Sequence, residues 1–135
     1  MKMNLLIALT LVGLVSECAK AQVCVSHLNV PKYPAVAWAA QQSGVVDLKL
    51  KIGRAGQVLS VEGKGVSPQL VEMAKANVRS WVFCAPDHGG NSTVHLRYDY
   101  RLKGARVYAR PNPKIVIDLG EGTVVITLPP PEPQP

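Results

Sequence analysis

The sequence predicts an α+β fold: two helices, a small antiparallel sheet and an extra β-hairpin towards the carboxyl end. Three observations carry this. Apolar and polar residues alternate over "VVDLKLKI" and again over "VHLRYDYRL", the period of half-buried strands. Leu70, Ala74, Val78 and Trp81 recur at helical spacing behind Ser67 and Pro68. "KIVIDL" and "TVVITL", rich in β-branched residues, flank Gly120-Glu121-Gly122.

The elements follow in order. Pro34 fits the first turn of a helix, the alanine-rich stretch after it favours helix, and Gly44 stops it, which predicts a helix over Pro34 to Gln42. Val46, Leu48, Leu50 and Ile52 then point one way and Asp47, Lys49 and Lys51 the other. "GRAGQ" supplies glycines for a tight turn, and "VLSVEGK" repeats the alternation weakly, so the pair reads as a hairpin. Ser67 caps the second helix and Pro68 opens it, and this helix is expected to lie on the sheet. After the turn-rich "APDHGGNS", Val94, Leu96, Tyr98, Tyr100 and Leu102 alternate with His95, Arg97, Asp99 and Arg101, the clearest strand pattern in the chain. The closing "PPPEPQP" has the composition of a solvated, extended end.

Composition suits one domain: of 135 residues, 47% are hydrophobic, and 11 glycines and 11 prolines imply a modest core with many turns. The net charge of +6 is spread along the chain and recurs at alternate strand positions. That distribution reads as a solvated face and argues against a nucleic-acid footprint.

The amino terminus, "MKMNLLIALTLVGLVSECAKAQ", has a cationic start at Lys2, an uncharged apolar run and small residues before Gln22. It reads as an export signal cleaved between Ala21 and Gln22, since the run is about half the ~20 residues of a membrane-spanning helix. The rivals are a retained anchor and lipid attachment at Cys18, where Glu17 occupies a position that usually holds a small residue. Cleavage leaves Cys24 and Cys84, and two cysteines in an oxidising space predict a disulfide. Buried free thiols, and a nucleophilic or metal-binding Cys84, are the alternatives.

The order helix, strand, strand, helix, strand resembles the C-terminal domain of TonB-type energy transducers. The resemblance runs from Tyr33 to about Lys103: Tyr33-Pro34 before an alanine-containing helix, a glycine then an alternating strand, a glycine-containing hairpin, and a second helix closing on Arg79, Trp81, Phe83 and Pro86. It implies a two-layer fold with both helices packed on the antiparallel sheet, and Trp81 and Phe83 as core anchors. It also implies a partner-binding edge at Thr93, Val94, His95, Leu96, Arg97, Tyr98, Asp99, Tyr100, Arg101 and Leu102, where the peptide of an outer-membrane receptor would add as an extra strand.

The organisation expected is a signal peptide over 1–21, a leader over 22–32, a TonB C-terminal-like domain over 33–103, a linker and hairpin over 104–128 and a Pro-rich disordered tail over 129–135. The hairpin has two possible roles: covering the edge at Thr93 to Leu102, or offering apolar strands to another chain. The functional expectation is an exported, periplasmic or secreted protein-binding module, with no cofactor, metal or nucleic acid, and with homodimerisation through strand edges open to it. A membrane-retained component of TonB-dependent transport is the first alternative, and a small secreted enzyme using Cys84 or a histidine the second. His27, His88 and His95 lack metal-ligand spacing, and Gly53, Gly56, Gly63 and Gly65 lie around a hairpin rather than in a phosphate-cradling loop.

Overall fold

The computed structural model describes residues 23–133; the expected signal peptide, the Ala21–Gln22 junction and Cys18 lie outside them. The elements in chain order are β1 (Val25–His27), α1 (Ala35–Ala39), β2 (Gly44–Ile52), β3 (Val58–Gly65), α2 (Pro68–Arg79), β4 (Val82–Phe83), β5 (Ser92–Leu102), β6 (Lys114–Asp118) and β7 (Thr123–Leu128). This is an α+β fold with five strands in one sheet, ordered β3-β2-β5-β7-β6, and a separate two-stranded ribbon of β1 and β4.

The alternating segments form the middle of the sheet. β2 pairs antiparallel with β3 and with β5 in continuous register from Gly44↔Tyr100 to Ile52↔Ser92. Val46, Leu48, Leu50 and Ile52 on β2 and Leu96, Tyr98 and Tyr100 on β5 are buried, joined by Leu70, Ala74 and Val78 of α2. Ser67 accepts a hydrogen bond from the Leu70 amide at 3.4 Å and donates to Gln42 at 2.8 Å, so the cap also ties the start of α2 to the end of the first helical segment.

Two expectations about the elements change. The first helix is shorter than Pro34 to Gln42: Pro34 is extended (ψ 130°) and serves as the N-cap, and Gln41, with φ 54°, turns the chain out. The sheet is mixed, not antiparallel. β7 runs parallel to β5, from Arg97↔Thr123 to Leu102↔Leu128, and β6 lies outside it, antiparallel. Side-chain content explains which strand takes the inner slot. Val124, Ile126 and Leu128 of the uncharged β7 are each 0% exposed, whereas β6 carries Lys114 and Asp118 at its ends, as an edge tolerates.

Pro129 and Pro130, which follow β7, are held rather than free. Trp38 Nε1 donates to the Pro129 carbonyl at 2.8 Å, the Val107 amide donates to Pro130 at 3.0 Å, and Glu132 donates back to Val107 at 2.9 Å. Prolines lack a backbone donor but keep their carbonyls, and here the linker uses them as acceptors.

Candidate functional site

β5 does not present an edge along its whole length. From Arg97 to Tyr100 it lies between β2 and β7, and Arg101 and Leu102 continue the pairing with β7, so this part of the expected partner-binding edge is taken. The chain's own hairpin fills the register that an added strand would need. The hairpin thus covers this part of the edge with β7, while β6 forms the outer edge of the sheet.

The amino-terminal end of β5 is different. β7 begins opposite Arg97, and β5 continues back to Ser92. The Arg97 amide donates to the Gly122 carbonyl at 2.8 Å, so Arg97 directs its backbone groups to the β7 side. Backbone direction alternates along a strand, and Thr93 and His95 therefore direct theirs to the same side, beyond the end of β7. A cleft of about 640 Å³ opens there, lined by residues including Val23, Cys24, Phe83, Cys84, Val94 and Gly122.

The cleft is built from five parts of the chain: the leader, the end of β2, β4 with the residues after it, the start of β5 and the hairpin turn. Cys24 and Cys84 are joined in a disulfide with Cα atoms 5.3 Å apart, and the Cys84 amide donates to the Cys24 carbonyl at 2.9 Å. The leader is thereby fixed beside β4, and its Val23 amide reaches the Leu119 carbonyl at the hairpin turn at 3.2 Å. Gly122, with φ 68°, closes the far wall; a Cβ there would lie 2.9 Å from the His95 carbonyl oxygen.

Trp81 and Phe83, 1% and 3% exposed, sit in the core beneath this region with ring centroids 6.1 Å apart. Trp81 lies just past the end of α2, and its Nε1 donates to the Asn29 carbonyl at 3.0 Å. Tyr98 lies 6.3 Å from Trp81 and gives its hydroxyl to Asn77 Oδ1 at 2.6 Å; burial, then the neighbouring Tyr100, pushes its pKa up. Burial also raises the pKa of Tyr100, with Tyr33 beside it adding to the shift, and pushes Tyr33 up to about 12.

The face of the sheet away from α2 carries paired charges. Arg97 meets Asp47 at 3.0 Å and Arg101 meets Asp99 at 2.7 Å, all on exposed or half-exposed side chains. The three histidines are dispersed, and no group of histidine, cysteine or acidic residues with metal-holding geometry occurs among the described residues. Both thiols of the candidate nucleophile's pair are consumed in the disulfide.

Sequence reasoning missed the contributions of Val23, Glu121 and Gly122 to the cleft. The glycine-flanked turn was visible, but its landing place depends on β7 entering the sheet beside β5.

No helix among the described residues is long and apolar enough to cross a membrane. Neither the curated proteins nor the solved structures include a significant match to the chain. A family model described as the Gram-negative bacterial TonB protein C-terminal matches residues 29–102, from the end of the leader to the last residue of β5 and short of the hairpin. With more than half its length in that match, the chain belongs to the TonB C-terminal family.

Proposed function

We propose that the chain is a protein-binding module of the cell envelope, acting by binding rather than catalysis, and that it takes an extended partner segment at the open end of β5. One observation carries this reading: β5 outruns β7, leaving the backbone of Thr93 and His95 directed into a cleft with apolar walls. Unpaired amides and carbonyls supply the hydrogen bonds of strand addition, and neighbouring side chains supply selectivity. The open stretch is short, so the expected ligand is a few extended residues of an envelope protein, an outer-membrane receptor being the partner that family membership favours.

A photo-reactive residue at His95 should give discrete adducts with envelope protein in cells. Adding Thr93→Pro removes a cleft-facing amide while leaving the β2–β5 bonds intact, and should abolish those adducts without moving the thermal melt. Adducts that persist in the Thr93→Pro protein would rule out strand addition; no adducts at His95 would rule out the site. Family membership also favours a second reading, a membrane-retained component of TonB-dependent transport. The mass of the protein in the envelope separates the two: a chain starting at Gln22 supports the exported module, and one retaining Met1 or an acylated Cys18 supports the membrane-retained component.

A further inference from the structure

We propose that β6 is a self-association edge, on which the β6 strand of a second copy of this chain pairs antiparallel about Val116. The five-stranded sheet ends in two edge strands, β3 and β6. β3 is poorly suited to pairing: it carries Gly63, Gly65, Glu62 and Lys64, and its register with β2 breaks at Lys51/Ile52. β6 is a short, regular strand, Lys-Ile-Val-Ile-Asp, with charge only at its two ends.

Backbone direction shows which groups are available. β7 directs its even-numbered residues to β5, since Gly122 accepts from Arg97 and Leu128 accepts from Lys103. Thr123, Val125 and Thr127 therefore bond to their partners Asp118, Val116 and Lys114 on β6. Ile115 and Ile117 are left directing their amides and carbonyls out of the sheet. In an antiparallel pair centred on Val116, Ile115 of each copy lies opposite Ile117 of the other, and these outward groups bond to each other.

Side chains favour the same register. Lys114 falls opposite Asp118 of the second copy at both ends, opposite charges on one face. Val116, 51% exposed, meets its own counterpart, and the half-buried Ile115 and Ile117 extend the core across the junction. A shift of the centre to Ile117 would set Val116 against Asp118, and a shift to Ile115 would set Ile117 against Pro113, which has no amide to donate. The arrangement is isologous, so it closes as a dimer and does not propagate into a fibre.

The test is sedimentation of the protein, in the form the cell exports, over a wide concentration range. The expected result is a monomer–dimer equilibrium that Lys114→Glu weakens on the order of tenfold, by setting acids against acids. Combining Lys114→Glu with Asp118→Lys should restore it. Asp118 also accepts the Glu121 amide in the turn at 3.1 Å, so a second variant guards against a folding defect. Ile117→Pro removes an outward amide only, and should give a folded monomer by near-ultraviolet circular dichroism. A wild-type protein that stays monomeric throughout, or a dimer indifferent to both Lys114→Glu and Ile117→Pro, would overturn the proposal. A photo-reactive residue at Val116 should give adducts of twice the chain's mass in cells, and adducts of another mass would assign the edge to a foreign protein instead.

Discussion

Tyr100 has a hydroxyl buried in the core without a hydrogen-bond partner, while the hydroxyls of Tyr33 and Tyr98 bond to the Gln42 carbonyl and to Asn77. An unmet buried hydroxyl costs about 1–3 kcal/mol, so Tyr100→Phe should stabilise the protein by about 1 kcal/mol, read as a rise of a few degrees in Tm. The same tyrosines set an alkaline limit. Their folded pKa values lie above the unfolded value of 10.0, so the unfolded chain loses protons first as pH rises. Stability is therefore whole below pH 10 and falls above it, by about 1.4 kcal/mol per pH unit for each buried tyrosine. Thermal melts at a series of pH values from 8 to 12 should show a flat Tm up to about pH 10 and a steep decline beyond, with tyrosinate absorbance appearing together with unfolding. At this scale much was legible. Trp81 and Phe83 read as core from their spacing and the family pattern, and the disulfide from the two cysteines that the expected export and cleavage would leave. The missing partner of Tyr100 was not legible, because it depends on which side chains surround the ring after folding.

At the scale of elements, the β2–β3 turn is fitted against β4. Gly56 has φ 83°, its carbonyl accepts the Phe83 amide at 2.8 Å, and a Cβ on it would lie 1.8 Å from the Phe83 oxygen. Gly56→Ala should cost about 2–4 kcal/mol in a denaturant titration, since it strains the turn and parts it from β4. The glycine was recognisable as a turn residue, but its contact with β4 was not, since that contact joins residues distant in sequence. The strands themselves were legible from their alternation. Their partners were less so: periodicity gives a strand its faces and says nothing of its neighbours. The inner place of β7 does have a sequence correlate, the lack of charge in "TVVITL" beside the charged ends of "KIVID", which becomes decisive only once the hairpin joins the sheet.

Over the whole molecule, the family domain and the segment after it share one core. Val124, Ile126 and Leu128 are fully buried in it, Trp38 bonds to Pro129, and Arg110 donates to the Tyr33 carbonyl at 2.7 Å. Truncation after Lys103 should therefore abolish the cooperative melt and not leave a smaller stable domain, a result that size-exclusion chromatography with a thermal scan would register. The boundary between domain and extension, clear in the sequence, is not a boundary in the packing. The disulfide adds to this unity. It closes a separation of 60 residues, a constraint worth about 4 kcal/mol against the unfolded chain on the simplest model. The placement of β7 also has a consequence in time. A chain delivered from its amino end presents β2, β3, α2 and β5 before the strand that completes them, so these segments form no stable sheet, and β5 lacks its second neighbour, until residues 123–128 arrive. Folding then finishes from the last-made part of the protein, and during that interval any extended segment nearby competes for the same slot.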